Sequence, residues 1–441
     1  MPVLTGTPRL RAARVSAAPQ RIGRVRTMRG LTVETVGLDV AIGDMVQVGE
    51  EGRSVPAEVV ALEGRRARCM PLGSLDGLRT GAPACASGGP MLLNVGPGLL
   101  GRVVDARGVP IDGLGPLGRT DRVPVQGSAP AALHRQRITR ALDTGVRVLD
   151  TLTTVGRGQR IGLFAGSGVG KSSLLSMVCR GCDAEMSVIA LVGERGREVR
   201  DFLEDDLGPE GLARSVVVVA TSDEPPLLRL RAAETATRIA EYFRDEGADV
   251  VLMMDSLTRV AMAQREIGLS VGEPPATRGY PPSTFSMMAQ LLERAGTAER
   301  GSVTGIYTVL VEGDDHNEPI ADSARSILDG HVVLDRGLAV RGHFPSIDAV
   351  ASVSRVASRV TTERQRALAT ALRSVLAARN QAQDLLDVGA YVPGSNVLVD
   401  AAVDHADQIG AFLRQPIAEL SRASVSWEAL GRLVEDLGVL S

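Results

Sequence analysis

At 441 residues with 44% apolar content, the chain has room for roughly three domains with proper cores, and 49 basic against 52 acidic residues leave a formal charge of −3. That balance argues against a protein built mainly to coat nucleic acid. Its apolar runs, such as Val216 to Ala220 and Val250 to Met254, fall far short of the roughly 18 residues that cross a bilayer, and no apolar stretch follows the basic N-terminus as a signal peptide requires, so the expected compartment is the cytoplasm.

In chain order, residues 1–22 open as a basic arm: Arg9, Arg11, Arg14 and Arg21, continued by Arg24, Arg26 and Arg29, precede the first acid at Glu34. Such a segment is either a solvated leader or a docking arm for an acidic partner or an anionic lipid surface. From 23 to 92 apolar and polar residues alternate in short runs (Leu31 and Val33 against Thr32 and Glu34), with turns at Gly43-Asp44 and Gly49-Glu50-Glu51-Gly52, which predicts a small all-β domain. No aromatic residue precedes Phe164, so this third of the chain offers no ring on which a single-stranded base could stack.

Between 93 and 360 buried-type strands alternate with helical stretches, the pattern of a parallel α/β sheet. The expected strands are 161–165, 187–192, 215–221, 249–254, 304–311 and 331–334. After 361 the chain turns helical to its end at 441, with Leu368, Leu372, Val375 and Leu376 on one face and a break at Pro393-Gly394. Cys179 and Cys182 form a C-x-x-C late in a predicted helix, where two packed small residues are expected rather than a redox pair; Cys69 and Cys85 lie far away, and the five histidines show no metal-ligand spacing.

The strongest chemical signal is the run Ala165-Gly166-Ser167-Gly168-Val169-Gly170-Lys171-Ser172-Ser173, placed after a predicted strand and opening a predicted helix. Glycines there let backbone N–H groups turn inward around phosphate oxygens, with the helix N-terminus adding positive dipole. Lys171, the only lysine in the chain, is expected to reach the β- and γ-phosphates of ATP, and the Ser172 hydroxyl to ligate Mg²⁺. Asp255 ends an apolar run and so sits at a strand edge, where it is either a strand-end cap or a second metal partner. Glu194 ends another strand and opens Gly193-Glu194-Arg195-Gly196-Arg197-Glu198, which reads either as a solvated charge cluster or as a carboxylate that polarises the attacking water, with Arg195 fixing its orientation.

These motifs carry a resemblance. The phosphate loop, Gly193 to Val199, Met253-Met254-Asp255-Ser256-Leu257-Thr258-Arg259, the stretch 272–282, and Pro345-Ser346-Ile347-Asp348-Ala349-Val350-Ala351-Ser352-Val353-Ser354-Arg355 together resemble the α/β family of rotary and type III export ATPases, over nearly the whole chain from about Gly23. The segments 311–322 and 327–331 are similar to the export branch rather than to ATP synthase. Met70-Pro71-Leu72-Gly73 and 96–101 look more like the flagellar than the injectisome ATPase.

The resemblance implies an N-terminal β-barrel, a central RecA-like nucleotide-binding sheet and a C-terminal helical domain. It also implies a homohexameric ring that hydrolyses Mg²⁺-ATP to energise protein export, with export-apparatus stator and central stalk proteins, export substrates and chaperones as partners, no nucleic acid, and a place at the cytoplasmic face of the inner membrane. By motif, Arg355 is the finger that completes a neighbour's site, and Phe344 lies where the family sets an aromatic against adenine; read alone, they are a surface arginine and a packed ring. Two departures from ATP synthase stand out: Phe412-Leu413-Arg414-Gln415-Pro416 is followed by Ile417 and Ala423 instead of a second aromatic, and the acidic coupling lever is replaced by Asp387-Val388-Gly389-Ala390-Tyr391-Val392. The competing readings are a ring subunit that binds nucleotide without hydrolysis and an RNA-translocating hexamer.

Overall fold

The computed structural model describes residues 21–311 and 318–439. The arm up to residue 20, with Arg9, Arg11 and Arg14, and the stretch 312–317 with His316, lie outside the described residues. The chain forms two compact bodies, one of the segment up to Met91 together with Ile267–Glu273, the other of Leu92–Glu266 and Pro274 onward.

In the first body six strands, β1 (Ile22–Arg29), β2 (Thr32–Val36), β3 (Asp44–Val48), β4 (Val55–Glu63), β5 (Arg66–Pro71) and β6 (Pro83–Pro90), close into an antiparallel barrel in the order β1-β2-β5-β4-β3-β6. Alternation fills its interior with small and branched side chains, including Val25, Val33, Val46, Val48, Val59 and Cys69. At the β1–β2 seam the backbones crowd so closely that a Cβ on Gly23 would lie 2.6 Å from the Val36 carbonyl oxygen, so only glycine fits.

In the second body β7 (Leu92–Val95) pairs with β9 (Asp121–Pro124) as a two-stranded ribbon, while β8 (Val103–Asp105) joins the main sheet. That sheet also contains β10 (Arg160–Ala165), β11 (Met186–Glu194), β12 (Ser215–Thr221), β13 (Asp249–Asp255), β14 (Gly296–Thr297), β15 (Ser302–Leu310), β16 (Gly330–Leu334) and β17 (Ile347–Ser354). Its order is β17-β16-β10-β15-β13-β11-β12-β8, parallel except for β17 against β16 and the short β14 against β15. The central strands read as unbroken apolar runs because helices cover both faces; β13 is buried from Val250 to Asp255. Two edge elements escape the expected set: β8 is only three residues long, and β17 mixes buried, half-buried and exposed positions.

Helix α1 (Lys171–Gly181) follows β10 and α2 (Gly196–Asp201) follows β11, so both begin at the C-terminal edge of the sheet. The C-terminal helices are α3 (Glu363–Gln381), α4 (Val397–Asp404), α5 (Ala406–Leu413) and α6 (Ala423–Leu437). A capping box starts α3: the Thr362 hydroxyl accepts from Gln365 N–H and the Gln365 side chain accepts from Thr362 N–H. The C-terminal helical region packs onto the sheet, since Leu368, Leu372 and Val375 of α3 and Leu430 and Val434 of α6 belong to the same apolar cluster as Leu149, Ile161 and Leu175. The Arg373 guanidinium tethers α3 by donating to the carbonyls of Leu152, Val350 and Ser352.

Candidate active site

The loop after β10 is shaped by two left-handed glycines, Gly168 at φ 76° and Gly170 at φ 88°, the second being the residue from which α1 starts. Its middle is pinned from outside. The buried Ser346 hydroxyl donates to the Val169 carbonyl at 2.6 Å, and the Val311 N–H donates to the Ala165 carbonyl at 3.1 Å. Val169 itself is 1% exposed and serves as the anchor under the loop, while Gly166, Ser167, Gly168, Gly170, Lys171, Ser172 and Ser173 line an open cleft of about 840 Å³.

Three strand or helix ends converge in that cleft. The Lys171 ammonium donates to Asp255 Oδ1 at 2.7 Å and to Glu194 Oε1 at 3.3 Å. Asp255, 3% exposed, also accepts the Thr308 hydroxyl at 2.7 Å, so the neighbouring strand fixes its carboxylate; the Asp255–Ser256 peptide bond is cis. Glu194 lies just past a register shift of β11 against β12 at Gly193, where φ is 73° and a Cβ would lie 2.9 Å from the Arg259 side chain.

Electrostatically the three groups are interdependent. Burial pushes the Glu194 carboxyl up to about 7, against the Lys171 charge and with help from the Asp255 charge and a hydrogen bond to Glu198. Burial works to lower the Lys171 ammonium, yet Asp255 and Glu194 outweigh it and the net shift is upward, so the lysine stays charged.

Arg195 lines the cleft but is 78% exposed at its side chain and stands 4.0 Å from Glu198, so its ion pair is with Glu198 and not with Glu194. Phe344 is 46% exposed and lies beside the loop, where a Cβ on Gly170 would come within 3.4 Å of its ring. Arg355 is exposed, does not line the cleft of its own chain, and donates to the Arg325 carbonyl at 3.1 Å. Sequence reasoning missed Arg259 and Arg336, which line the same cleft. Arg259 Nε is buried without a partner among the described residues, a donor waiting for an anion. Its signal was its place one helical turn beyond Asp255.

The donor set fits a nucleotide-borne magnesium ion. No group of three or more His, Cys, Asp or Glu side chains that could cage a metal occurs among the described residues, while Ser172 and Asp255 offer the hydroxyl and carboxylate that such an ion takes when phosphates supply other ligands. When bound, it neutralises charge on the phosphates; Ser172 and Asp255 are the residues that would hold it.

Comparisons agree with this geometry. Family models match at 145–354 (ATP synthase alpha/beta family, nucleotide-binding domain), 29–88 (ATP synthase alpha/beta family, beta-barrel domain) and 361–432 (T3SS EscN ATPase C-terminal domain). The chain is 49% identical over 418 residues to the flagellum-specific ATP synthase of Bacillus subtilis, covering 94% of this chain and 95% of that one. It is 46% identical over 422 residues to the type 3 secretion system ATPase of Xanthomonas euvesicatoria, with 95% and 96% covered. The assembled ATPase EscN of the enteropathogenic E. coli type III secretion system superposes with a TM-score of 0.89 at 41% identity, over 93% of this chain and all of that one; a structure of EscN with its central stalk EscO gives 0.87. The barrel, the phosphate loop and the converging Lys171, Glu194 and Asp255 therefore belong to an ATPase of the ATP synthase α/β family, in the branch of flagellum-specific ATP synthases and type III secretion ATPases.

Proposed function

We propose that the chain works as a homohexameric ring that hydrolyses Mg²⁺-ATP to energise protein export through a flagellar type III apparatus. The observation that carries this reading is the meeting of Lys171, Asp255 and Glu194 at one edge of the sheet. Lys171 exchanges its carboxylate partners for the β- and γ-phosphates, Ser172 and Asp255 hold Mg²⁺, and Gly166 to Ser173 wrap the phosphates. Glu194 polarises the attacking water, and Arg195 contributes charge at the mouth of the site. Phe344 packs against the base, and Arg355 acts on the neighbouring subunit's nucleotide, a role supported by its exposure and its absence from its own cleft.

Ring formation and a central stalk partner are supported by EscN, which has been solved assembled and with its stalk EscO. Stator proteins, export substrates and chaperones follow from the same reading, as does work at the cytoplasmic face of the inner membrane; no helix among the described residues is long and apolar enough to cross a membrane. The flagellar role is favoured over the injectisome by the 49% identity to the flagellum-specific enzyme of Bacillus subtilis, against 46% to the secretion ATPase of Xanthomonas euvesicatoria. The test is phosphate release measured against protein concentration. Specific activity is expected to rise cooperatively as rings form, and a rate per subunit that stays constant on dilution to monomer would remove the ring from the mechanism.

A further inference from the structure

Arg355 is anchored at two points just beyond one helix. Its backbone N–H donates to the Asp329 carbonyl at 2.9 Å, and its guanidinium donates to the Arg325 carbonyl at 3.1 Å, the one side-chain bond it makes among the described residues. That bond uses one NH2 group of a rigid fork, so the other N–H donors of the exposed side chain stay available to an anion. The Arg325 carbonyl is only as steady as the helix Pro319–Ile327 that carries it. At its start the Glu318 carboxylate caps the helix by accepting from the Ile320 and Ala321 N–H groups. Near its end the Arg325 guanidinium lies over the Phe164 ring, 4.8 Å from the centroid. That ring is fully buried, His331 meets it edge to face at 5.8 Å, and a Cβ on Gly162 would lie 2.5 Å from it, so only glycine leaves room for it there. Phe164 is thus a fixed platform in β10, directly ahead of the phosphate loop.

The geometry points to Arg325 as a positioning residue for hydrolysis: stacked on Phe164, it locks the last turn of its helix, and the carbonyl of that turn sets where the Arg355 guanidinium stands. This rests on the reading of Arg355 as the group that acts on the neighbouring subunit's nucleotide. A long side chain loses rotamer freedom when it is fixed. Holding one Arg355 nitrogen in place before ATP arrives leaves less freedom to lose when the others meet the transferring phosphoryl group, and a misplaced finger forfeits that gain. Arg325 touches no nucleotide itself; it acts through Arg355.

Arg325→Ala is expected to lower kcat about tenfold or more while KM for Mg·ATP stays within about twofold, because the finger meets charge that develops only during transfer. In an Arg355→Ala background the same substitution is expected to lower the rate no further, and additive losses overturn the proposal. Mixed rings then locate the defect. Arg325→Ala keeps a good cleft and a poor finger, so it is expected to recover phosphate release when assembled with Lys171→Ala and to recover none when assembled with Arg355→Ala. Recovery with Arg355→Ala and none with Lys171→Ala would mean that Arg325 serves its own phosphate loop through Phe164, which also overturns the proposal. If Arg325→Ala fails to form rings, Arg325→Gln, which keeps the stem and removes the charge, is read by the same mixtures. The control is Arg355→Ala assembled with Lys171→Ala: no recovery there removes the finger itself, whereas recovery there and none with Arg325→Ala removes only the role of Arg325.

Discussion

Burial gives Glu194 a proton affinity that a surface glutamate lacks, and the consequence is a pH-dependent rate. With its carboxyl pushed up to about 7, Glu194 is protonated in the free enzyme below that pH and cannot accept a hydrogen bond from water through the protonated oxygen, so kcat/KM is expected to fall as pH drops through 7. Glu194→Gln is expected to lower hydrolysis by about 10²-fold or more while nucleotide binding stays within a few-fold, measured by phosphate release and by fluorescent-nucleotide titration. Asp150 titrates in a different way. It is 1% exposed, its Oδ1 accepts from the Thr144 N–H and hydroxyl, its Oδ2 has no partner among the described residues, and burial raises it to about 7. An unfolded aspartate titrates near about 4, so between that pH and 7 the folded state holds the extra proton and stability falls as pH rises, levelling off above 7. Asp150→Asn is expected to lose this slope. Thermal unfolding of both proteins at mildly acidic and mildly alkaline pH checks it, and equal slopes would mean that Asp150 is ionised in the fold. Lys171 was legible because the chain's lone lysine closes a glycine-rich run between strand and helix, a setting that suits phosphate and little else, whereas Arg259 looks like any helix-surface arginine until the backbone turn at Gly193 brings strand and helix together.

The elements around the site act through what they hold still. Ser346 sits on the segment leading into β17 and holds the phosphate loop by its bond to the Val169 carbonyl, in a buried setting where a net hydrogen bond is worth about 1 kcal/mol. Ser346→Ala is expected to weaken nucleotide binding by about fivefold with the fold intact, and calorimetric affinity unchanged from wild type would mean that the loop is rigid without this pin. Leu372 of α3 is fully buried in the core shared by sheet and helices, so Leu372→Ala is expected to cost about 3 kcal/mol in a denaturant titration. Because that core is shared, the loss is expected to appear in one transition for the sheet and the C-terminal helices together. The central strands were readable from sequence since strands covered on both faces are apolar at every position. Strand β8 is too short to stand out, and the packing of the helical region onto the sheet depends on long-range contacts such as Arg373 to Leu152 that no local pattern carries.

At the scale of the whole molecule the open question for a single chain is who completes its site. The cleft is lined by Lys171, Ser172, Asp255 and Glu194, but Arg355 points its guanidinium at the Arg325 carbonyl on an exposed surface away from that cleft. A heterologous ring turns this into an advantage, since each subunit presents one cleft and one finger on different surfaces and closure pairs every finger with a neighbouring cleft. Two inactive variants then become complementary. Lys171→Ala keeps a good finger and loses its own cleft; Arg355→Ala keeps a good cleft and loses its finger, with nucleotide binding nearly intact. Mixed in equal amounts before assembly, they are expected to recover activity at about a quarter of the interfaces, those where an Arg355→Ala cleft meets a Lys171→Ala finger. Arrangement of both groups within one chain predicts no recovery at any mixing ratio, so phosphate release from the mixture, against each variant alone, separates a shared site from a self-contained one.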